Sequence, residues 1–236
     1  MEINMVCYGF RIKSLVGRIL DLGCHLLFPP AHFTEKMPDL IRRPFCEQCG
    51  EMYDGAFTTS FVCVNCQERE WFLAWARAAY PMKGPVRHVI LAFKYLGEFH
   101  YLKQMVDWLE EGFRRHAASE PWDALVSVPL YHVRQRERGF NQSYELAQML
   151  GKRQKVPVWS CLERTRPTPQ QATLARSGRL RNLHGAFGLK SQFDVSNKSL
   201  LLVDDVFTTG ATAEACARVL MEHHASRVAV LTLARA

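Results

Sequence analysis

The sequence predicts an α/β protein in which helices flank a parallel sheet, with a small cysteine-rich module ahead of this domain. Two observations lead to this prediction. From residue 122 onward, short apolar runs alternate with amphipathic segments of helical period, which is typical of parallel strands joined by helices. Upstream, four of the eight cysteines form two Cys-x-x-Cys pairs between residues 46 and 66.

The length and charge of the chain limit its domain organisation and its partners. The chain has 236 residues, enough for one full domain and a small module. We expect a helix and linker at 1–43, the cysteine module at 44–70 and the α/β domain at 71–236. The net charge of +7 favours anionic partners such as nucleic acid or phosphorylated metabolites. Charged residues interrupt the most apolar stretch, 12–28, so we expect no membrane span, no signal peptide and a cytoplasmic protein.

Apolar residues three and four positions apart predict five amphipathic helices. These are 12–26, 85–93, 99–113, 141–150 and 212–221. Short apolar runs predict buried parallel strands at 124–128, 200–203 and 228–233. The first helix ends at Pro29 and Pro30, and its apolar face can pack on the protein itself or dock on a membrane surface or a partner.

The paired cysteines are candidate metal ligands. They are Cys46, Cys49, Cys63 and Cys66, a spacing that can supply four thiolates to one tetrahedral Zn²⁺. Gly50 follows the first pair, where the turn needs a residue without a Cβ. Four protein ligands leave no open coordination position, so the predicted zinc is structural. Disulfides and a redox Cys-x-x-Cys are the alternatives. We expect the other cysteines, Cys7, Cys24, Cys161 and Cys216, to be buried apolar side chains.

The most informative stretch for function begins where the strand 200–203 meets two carboxylates, Asp204 and Asp205. A short loop follows and opens a helix; its residues are Thr208, Thr209, Gly210, Ala211 and Thr212. Small residues let backbone N–H groups converge on a phosphate at a helix N-terminus. The two acids can accept hydrogen bonds from a sugar diol or from water on Mg²⁺. The alternative is a helix N-cap with two solvated acids.

This stretch resembles the 5-phosphoribosyl-1-pyrophosphate (PRPP) signature of type I phosphoribosyltransferases. Other segments resemble the narrower ComF/GntX family, and the resemblance extends from about residue 20 to the C-terminus. These segments are Phe93-Lys94-Tyr95 with Gly97, Val128-Pro129-Leu130, Arg138-Gly139-Phe140-Asn141-Gln142, Arg164 to Gln171, Arg181-Asn182 with Ala186-Phe187, and Leu233-Ala234-Arg235. One departure from the family is that Ala31 to Phe45 separate the proline pair from the first cysteine pair.

The resemblance implies roles for particular residues. Asp204 and Asp205 would hold the ribose hydroxyls of PRPP, and the loop 208–212 would bind its 5′-phosphate. Pro129 begins the segment at the position of the pyrophosphate loop. The arginines that follow it are Arg134, Arg136 and Arg138, and the flexible loop that closes over PRPP would contain Arg164, Arg166 and Gln171.

The implied reaction is Mg²⁺-assisted displacement of pyrophosphate from PRPP by a nitrogen nucleophile. Hypoxanthine-type enzymes carry an aspartate where this chain has Thr208, and a threonine is no base near neutral pH. We therefore expect neither hypoxanthine nor guanine as the acceptor, which stays unidentified.

Two other functions stay open. The ComF resemblance also fits a non-catalytic or PRPP-regulated accessory protein in DNA uptake that binds single-stranded DNA or a translocation helicase. Trp71, Trp75 and Trp108 can stack on bases, although we expect them to be core residues. A thiol redox protein is the third candidate, and we assign no metal ligand among the histidines, including His88, His100 and His132.

Overall fold

The computed structural model describes residues 39–53, 61–166 and 185–236, and the fold is given for these ranges. The predicted helix 12–26, Cys7, Cys24 and Gln171 lie outside the described residues. In chain order the strands are β1 (Ala76–Pro81), β2 (Ala124–Ser127), β3 (Val158–Trp159), β4 (Leu162–Arg164), β5 (Phe187–Leu189), β6 (Ser199–Phe207) and β7 (Arg227–Arg235). The helices are α1 (Val64–Gln67), α2 (Gly84–Leu91), α3 (Leu102–His116), α4 (His132–Arg138), α5 (Gln142–Gln154) and α6 (Ala211–Glu222).

Five of the strands form one parallel sheet in the order β1-β7-β6-β2-β3. Its centre is the β6–β7 pair, in which Leu202 lies opposite Val230. β4 and β5 form a separate antiparallel pair in which Arg164 lies opposite Phe187. The predicted fold class, a parallel α/β sheet flanked by helices with a small cysteine module, is confirmed.

Both faces of the sheet are covered, which explains why its strands are continuous apolar runs. Along β6, Leu200 and Leu202 point to the face that packs with α6. Leu201 and Val203 point to the other face, where they pack with residues of α3 and α5. All four side chains are fully buried. Alternation along an extended strand, with helices on both sides, therefore produces an uninterrupted hydrophobic sequence.

Several elements differ from the prediction. β6 does not end at Val203 but continues through both acids to Phe207, so Asp204 and Asp205 are strand residues. After α2, the helix widens into a π-helical turn, Ala92–Leu96, which ends at Gly97. The strands β1, β3, β4 and β5 are not predicted by the sequence patterns. Among the helices of the described ranges, none has the length and apolar character to cross a membrane.

Candidate functional site

Two carboxylates stand side by side near the carboxyl end of β6. Asp204 accepts hydrogen bonds through Oδ1 from the Ser143 hydroxyl at 2.6 Å and from the Asp205 backbone N–H at 2.9 Å. Asp205, 3% exposed, forms an ion pair with Lys94, whose Nζ lies 2.6 Å from Oδ2. These partners offset the cost of burying charge. Asp205 is therefore not the solvated acid that the N-cap alternative requires.

The surroundings of Asp204 alter its ionisation. Burial, and then the charge of Asp205, raises the pKa of Asp204 to about 7. The Ser143 hydroxyl and the Lys94 ammonium lower the pKa of Asp204, since both favour the carboxylate. Asp204 therefore changes charge near neutral pH, and a ligand that donates hydrogen bonds to it stabilises the anionic form.

The segment between β6 and α6 is a tight turn that requires a glycine. Gly210 immediately precedes the first helical residue and has a φ of +79°. A Cβ at this position would lie 2.5 Å from the Phe207 ring. Both the left-handed backbone and the close packing therefore require glycine. The turn directs the first N–H groups of α6, which have no acceptor within the helix, toward the carboxyl edge of the sheet.

The structure brings Asp204 and this segment together around one cavity. The cavity has a volume of about 30 Å³ and lies between the carboxylate and the first turn of α6. Its lining includes Thr208, Gly210, Ala211 and Thr212 from the predicted loop, together with Thr232 of β7. Thr209 is half-buried, and its hydroxyl accepts a 3.4 Å hydrogen bond from the Ala211 N–H.

Arg235, the last residue of β7, supports this turn from behind. The side chain is 6% exposed and donates hydrogen bonds to the backbone carbonyls of Phe207, Thr208 and Ala236. Its guanidinium also stacks on the Phe207 ring, 5.0 Å from the centroid. The second terminal nitrogen donates to the Glu51 carboxylate in the cysteine module. One arginine therefore connects the turn between β6 and α6 to that module.

The segment after β2 differs from the predicted loop, because much of it is helical. Pro129 is buried in the turn after β2, whereas Arg134, Arg136 and Arg138 lie on α4. Arg134 and Arg136 are exposed. Arg138 is half-buried, with its guanidinium 5.6 Å from the centroid of the Tyr95 ring. Tyr95 belongs to the π-helical turn that carries the lysine partner of the carboxylate pair, so Arg138 lies close to that element.

The residues that the resemblance assigns to a flexible loop start on a strand. Arg164 is the last residue of β4, and its guanidinium lies 5.5 Å from the centroid of the Phe187 ring on β5. Burial lowers the pKa of Arg164. Arg166 is exposed, and Gln171 lies outside the described residues. Arg164 and Pro129 both line a cavity of about 610 Å³ between the β2–α4 turn, α5 and the β4–β5 pair.

The four paired cysteines converge on one point. Their sulfur atoms all lie within 4.8 Å of one another, with Cys49 Sγ 3.8 Å from Cys63 Sγ and Cys63 Sγ 3.4 Å from Cys66 Sγ. Cys46 Sγ lies 3.3 Å from the Cys63 backbone nitrogen, which donates to it. A tetrahedral metal with bonds of about 2.3 Å would place its sulfurs about 3.8 Å apart, so these thiols fit a metal ion such as zinc. All four are free cysteines and not disulfides.

The first cysteine pair packs directly against β1. Gly50 has a φ of +68°, and a Cβ there would lie 2.8 Å from the Ala76 carbonyl oxygen, which confirms the need for glycine after this pair. The Ala76 N–H donates to the Gln48 carbonyl at 2.8 Å. The four cysteines belong to the same hydrophobic cluster as Ala76 and Leu73. The module is therefore attached to the α/β domain through its edge strand.

Other predicted core residues can now be located. Cys161 and Cys216 are fully buried, as expected, and burial raises the pKa of the Cys161 thiol to about 11. Trp75 is also a core residue, 8% exposed, with its ring edge-on to Trp122 at 5.9 Å between centroids. Trp71 and Trp108 are half-buried: Trp71 packs under the Arg69 guanidinium, and Trp108 packs beside Tyr80.

Sequence reasoning assigned no role to three residues that the structure places at the site. Lys94 and Arg235 lie within segments that carry the family resemblance, and this was the available signal for them. Ser143 follows Asn141, whose side chain accepts from the Ser143 N–H at 3.1 Å and caps α5. A capping motif points to a helix start but not to the carboxylate that the serine contacts, so nothing in the sequence pattern singles out Ser143.

Comparison with known proteins gives sequence relatives over most of the chain. Competence protein F of Haemophilus influenzae is 31% identical over 201 residues, covering 82% of this chain and 85% of the relative. DNA utilization protein YhgH of Escherichia coli is 40% identical over 124 residues, about half of each chain. Competence protein ComFC of Bacillus subtilis is 26% identical over 202 residues, covering 80% of this chain and 77% of the relative. No family model matches the chain.

Solved structures give weaker similarities. Phosphoribosylpyrophosphate synthetase from Mycobacterium smegmatis matches 57% of this chain and 33% of its own, with 18% identity and a TM-score of 0.34. Adenine phosphoribosyltransferase from Leishmania donovani matches 59% of this chain and 54% of its own, with 16% identity and a TM-score of 0.37. Neither value decides an activity or a substrate. The sequence relatives do decide the family, and the chain belongs to the ComF family of competence and DNA-utilization proteins.

Proposed function

We propose that the protein binds PRPP with Mg²⁺ at the carboxyl edge of β6 and uses it in a cytoplasmic process connected with DNA uptake or DNA use. One observation supports this most strongly: Asp204 and the glycine-containing turn at the start of α6 line one cavity. A sugar phosphate needs these two features together, hydrogen-bond acceptors for its hydroxyls and N–H donors for its phosphate.

In this proposal the carboxylates bind the ribose. Asp204 already accepts a hydrogen bond from the Ser143 hydroxyl, and a ribose hydroxyl can donate to it in the same way. Asp205 is held by Lys94, so its orientation is fixed before a ligand arrives. A preorganised acceptor loses less conformational entropy on binding than a mobile one. Carboxylates are also ligands that Mg²⁺ accepts, directly or through water, when it is bound with a pyrophosphate.

The turn 208–212 binds the 5′-phosphate in this proposal. The backbone N–H groups of the first turn of α6 donate to the phosphate oxygens, and the helix dipole favours the negative charge. Threonine hydroxyls add further donors. The pyrophosphate would extend toward α4, where Arg138 can donate two parallel hydrogen bonds to phosphate oxygens. Arg134, Arg136, Arg164 and Arg166 are further candidates for pyrophosphate and loop contacts.

The proposed reaction is nucleophilic displacement at the anomeric carbon of the ribose. The lone pair of a nitrogen nucleophile forms the new C–N bond while the C–O bond to pyrophosphate breaks, and the electron pair leaves with pyrophosphate. Positive charge on the ribose favours nearby carboxylates, and negative charge on the leaving group favours arginine. Because Thr208 cannot act as a base, the acceptor must lose its proton by another route, and hypoxanthine and guanine are not proposed.

The cysteine cluster is proposed to hold one structural Zn²⁺. Cys46, Cys49, Cys63 and Cys66 supply all four ligands, and a bound zinc would cross-link the two ends of the module without a free coordination position. Its contribution is then to folding and not to catalysis.

A second candidate function is a PRPP-regulated accessory role in DNA uptake without turnover. Two observations favour it: the names of the relatives refer to competence and DNA utilization, and Thr208 supplies no base where hypoxanthine-type enzymes carry an aspartate. In this role PRPP would bind as a signal, and the protein would interact with single-stranded DNA or a translocation helicase.

The test is calorimetric titration of the full chain with PRPP in the presence of Mg²⁺, together with a pyrophosphate-release assay against a panel of nitrogen bases. Saturable heat with one site per chain supports PRPP binding, and pyrophosphate release identifies the enzyme. Binding without release supports the regulatory role. No heat and no thermal shift at millimolar PRPP would remove both proposals.

The affinity for PRPP should rise as the pH increases through about 7, because the anionic form of Asp204 accepts ribose hydroxyls better than the protonated form. Ser143→Ala removes a hydrogen bond that lowers the pKa of Asp204, so its transition should move to higher pH. Calorimetry from pH 5.5 to 8.5 measures both curves. Ionisation of PRPP itself is the same for the two proteins, so identical midpoints would contradict this role for Asp204.

The raised pKa of Asp204 also determines how this residue changes the free energy of unfolding as the pH changes. Because the pKa of Asp204 rises from 3.8 to about 7 on folding, the folded state holds the proton more tightly than the unfolded state. The contribution of Asp204 to the free energy of unfolding is therefore most favourable below pH 4 and falls as the pH rises toward 7.

Arg235→Lys should weaken PRPP binding by about tenfold, because a single ammonium cannot replace charged hydrogen bonds to the Thr208 carbonyl and to Glu51 at once. The turn then loses its support while the charge stays. Arg227→Lys is the matched control: it lies at the other end of β7 and pairs with Glu120 at 3.0 Å. Equal PRPP affinities for the Arg235 and Arg227 variants, measured by calorimetry on folded protein, would show that Arg235 does not position the turn.

A further inference from the structure

A second cleft lies beside the first half of β1 and shares no residue with the cavity at Asp204. It has a volume of about 710 Å³ and lies between residues 41–45, the start of β1 and the carboxyl end of α3. Its lining is Ile41, Arg42, Arg43, Phe45, Trp75, Arg77, Arg115, His116 and Glu120. We call it the Arg77 cleft. One wall belongs to the segment that separates the proline pair from the first cysteine pair.

That wall is fixed to the sheet edge. The Ile41 N–H donates to the Ala79 carbonyl of β1 at 2.9 Å, and Ile41 and Phe45 bury their side chains against Ala78. The backbone that carries Arg42 and Arg43 is therefore anchored on both sides, and their side chains project from a defined surface.

The cleft has a surplus of positive charge. Four arginines line it, and Glu47 partly neutralises two of them, at 2.8 Å from Arg43 and 2.9 Å from Arg77. Arg115 pairs with Glu111 of its own helix. Glu120 is engaged elsewhere: it accepts from the Trp75 indole and from Arg227. Counting Glu47, Glu111 and Glu120 against the four arginines of the cleft and Arg227 still leaves the surplus positive.

The guanidinium at the base of the cleft is rigid. Arg77 lies over the Phe45 ring at 4.7 Å from its centroid and also donates to the Glu47 carbonyl at 2.8 Å. Arg43 lies over the same ring at 5.6 Å. Guanidinium groups held by stacking and by hydrogen bonds lose little freedom when an anion binds.

The ionisation of His116 agrees with a positive field in the cleft. Burial, and then the charges of Arg77, Arg115 and Arg43, lowers the pKa of His116 to about 4. The histidine is therefore neutral at pH 7 and does not itself add to the charge.

The aromatic rings in the cleft are not available for stacking with a base. Phe45 is 5% exposed and Trp75 is 8% exposed, because arginines and neighbouring rings cover their faces. A ligand must therefore be recognised by its charge. Each phosphate within a chain offers two non-bridging acceptor oxygens and a negative charge to forked donors, so several linked phosphates can contact this set of arginines at once.

We propose that the Arg77 cleft is an anion site for a ligand that carries two or more phosphates along one chain, contacted through its phosphates and not through bases. The phosphodiester backbone of a nucleic-acid strand and a free polyphosphate share this chemistry. The proposal does not depend on PRPP binding at Asp204.

The test is fluorescence anisotropy of a labelled 20-nucleotide oligo(dT) with the full chain, without added PRPP, over a range of salt concentrations. The cleft variant is Arg43→Gln with Arg115→Gln, and the control is Arg87→Gln with Arg114→Gln. The control removes the same charge from helix positions outside the cleft lining. We expect the cleft variant to bind at least about tenfold more weakly than wild type, and the control to change less than about twofold.

The salt dependence supplies a second readout. Loss of two phosphate contacts should reduce the slope of log K against log salt by about 1.4 in the cleft variant and leave it unchanged in the control. Competition with inorganic tripolyphosphate separates the sources: displacement of oligo(dT) indicates a free polyphosphate site, and resistance indicates a phosphodiester backbone site. Both results support the proposal.

Three results would overturn it: no salt-dependent binding, equal losses in the cleft and control variants, or equally tight binding of poly-glutamate. Calorimetry with PRPP on the same variants measures the Asp204 site separately from the Arg77 cleft. If the protein binds oligo(dT) but does not bind PRPP, the proposal for the Arg77 cleft is supported and the function proposed for Asp204 is contradicted.

Discussion

The double variant Asp204→Asn with Asp205→Asn is expected to bind PRPP at least about 100-fold more weakly than wild type, because it removes two charged hydrogen-bond acceptors, each contributing about 1.5–3 kcal/mol. Asparagine keeps the size of each side chain but presents one carbonyl and one NH₂ group where the ribose needs acceptors. It also removes the negative charge that would attract Mg²⁺. Calorimetric titration with Mg²⁺ and PRPP measures the loss.

A loss of stability accompanies this change and has to be separated from it. Lys94 pairs with Asp205, and it would be left without a carboxylate partner in the variant. Breaking a buried ion pair from one side costs about 3 kcal/mol, and less here because the Lys94 side chain is 18% exposed. The triple variant Lys94→Met with Asp204→Asn and Asp205→Asn also removes the charge of Lys94, so it should recover stability relative to the double variant without recovering PRPP binding.

Asp107→Asn is the control for the chemical change alone, because Asp107 is an exposed residue of α3. It should leave PRPP binding unchanged. If the double variant binds PRPP as tightly as Asp107→Asn does, the carboxylates do not hold the ribose. A double variant that binds weakly but also unfolds is resolved by the triple variant, whose thermal midpoint reports stability independently of the site.

The sequence patterns identified the central strands well because burial of both faces requires an apolar residue at every position of the strand. β6 and β7 lie in the middle of the sheet and are covered on both faces, so every residue from Leu200 to Val203 must be apolar. Burial constrains the residue types of an edge strand less strongly. β1 pairs only with β7 in the described sheet, and its six residues include three alanines and Arg77, a composition without β-branched residues.

The candidate site was predictable where its residues are consecutive in the chain. A strand, two acids, a glycine turn and a helix are consecutive in the chain, and the structure places Asp204 and the turn around one cavity. Partners from distant segments were not predictable. Ser143 is 61 residues from Asp204, and Glu51 is 184 residues from Arg235. Only tertiary packing brings such pairs together, and a single sequence has no periodicity that reports it.

Removal of metal from the cysteine cluster is expected to unfold the module while the sheet stays folded. The four thiols lie within 4.8 Å of one another, and in the described residues the regular structure of the module is limited to α1 and two isolated β-bridges. Structural zinc contributes about 10–16 kcal/mol in comparable small sites, which is as large as the whole stability of a typical domain. Wild-type protein should therefore contain one zinc per chain, and Cys49→Ser should contain none.

Hydrogen exchange locates the effect. In Cys49→Ser, or after chelation, the Gly50 and Cys46 N–H groups should lose protection, since they bond only within the first cysteine turn. N–H groups of β6 and β7 should keep theirs. Cys161→Ala is the matched control, because it removes a fully buried thiol that is not part of the cluster. It should keep its zinc. A module that stays protected after chelation would show that zinc does not hold it together.

The consequences should extend to the proposed PRPP site at Asp204. Glu51 lies next to Gly50, and its carboxylate accepts from the same Arg235 that bonds to the Thr208 carbonyl. If the module unfolds, Arg235 loses one of its partners, and the turn at the start of α6 becomes less constrained. PRPP affinity should then fall by about tenfold in Cys49→Ser, as in Arg235→Lys, and not in Cys161→Ala. Because coupling between two sites is reciprocal, saturating PRPP should slow zinc loss to a chelator. A PRPP affinity and a chelation rate that are independent of each other would show that Glu51 and Arg235 pack together without linking the two sites.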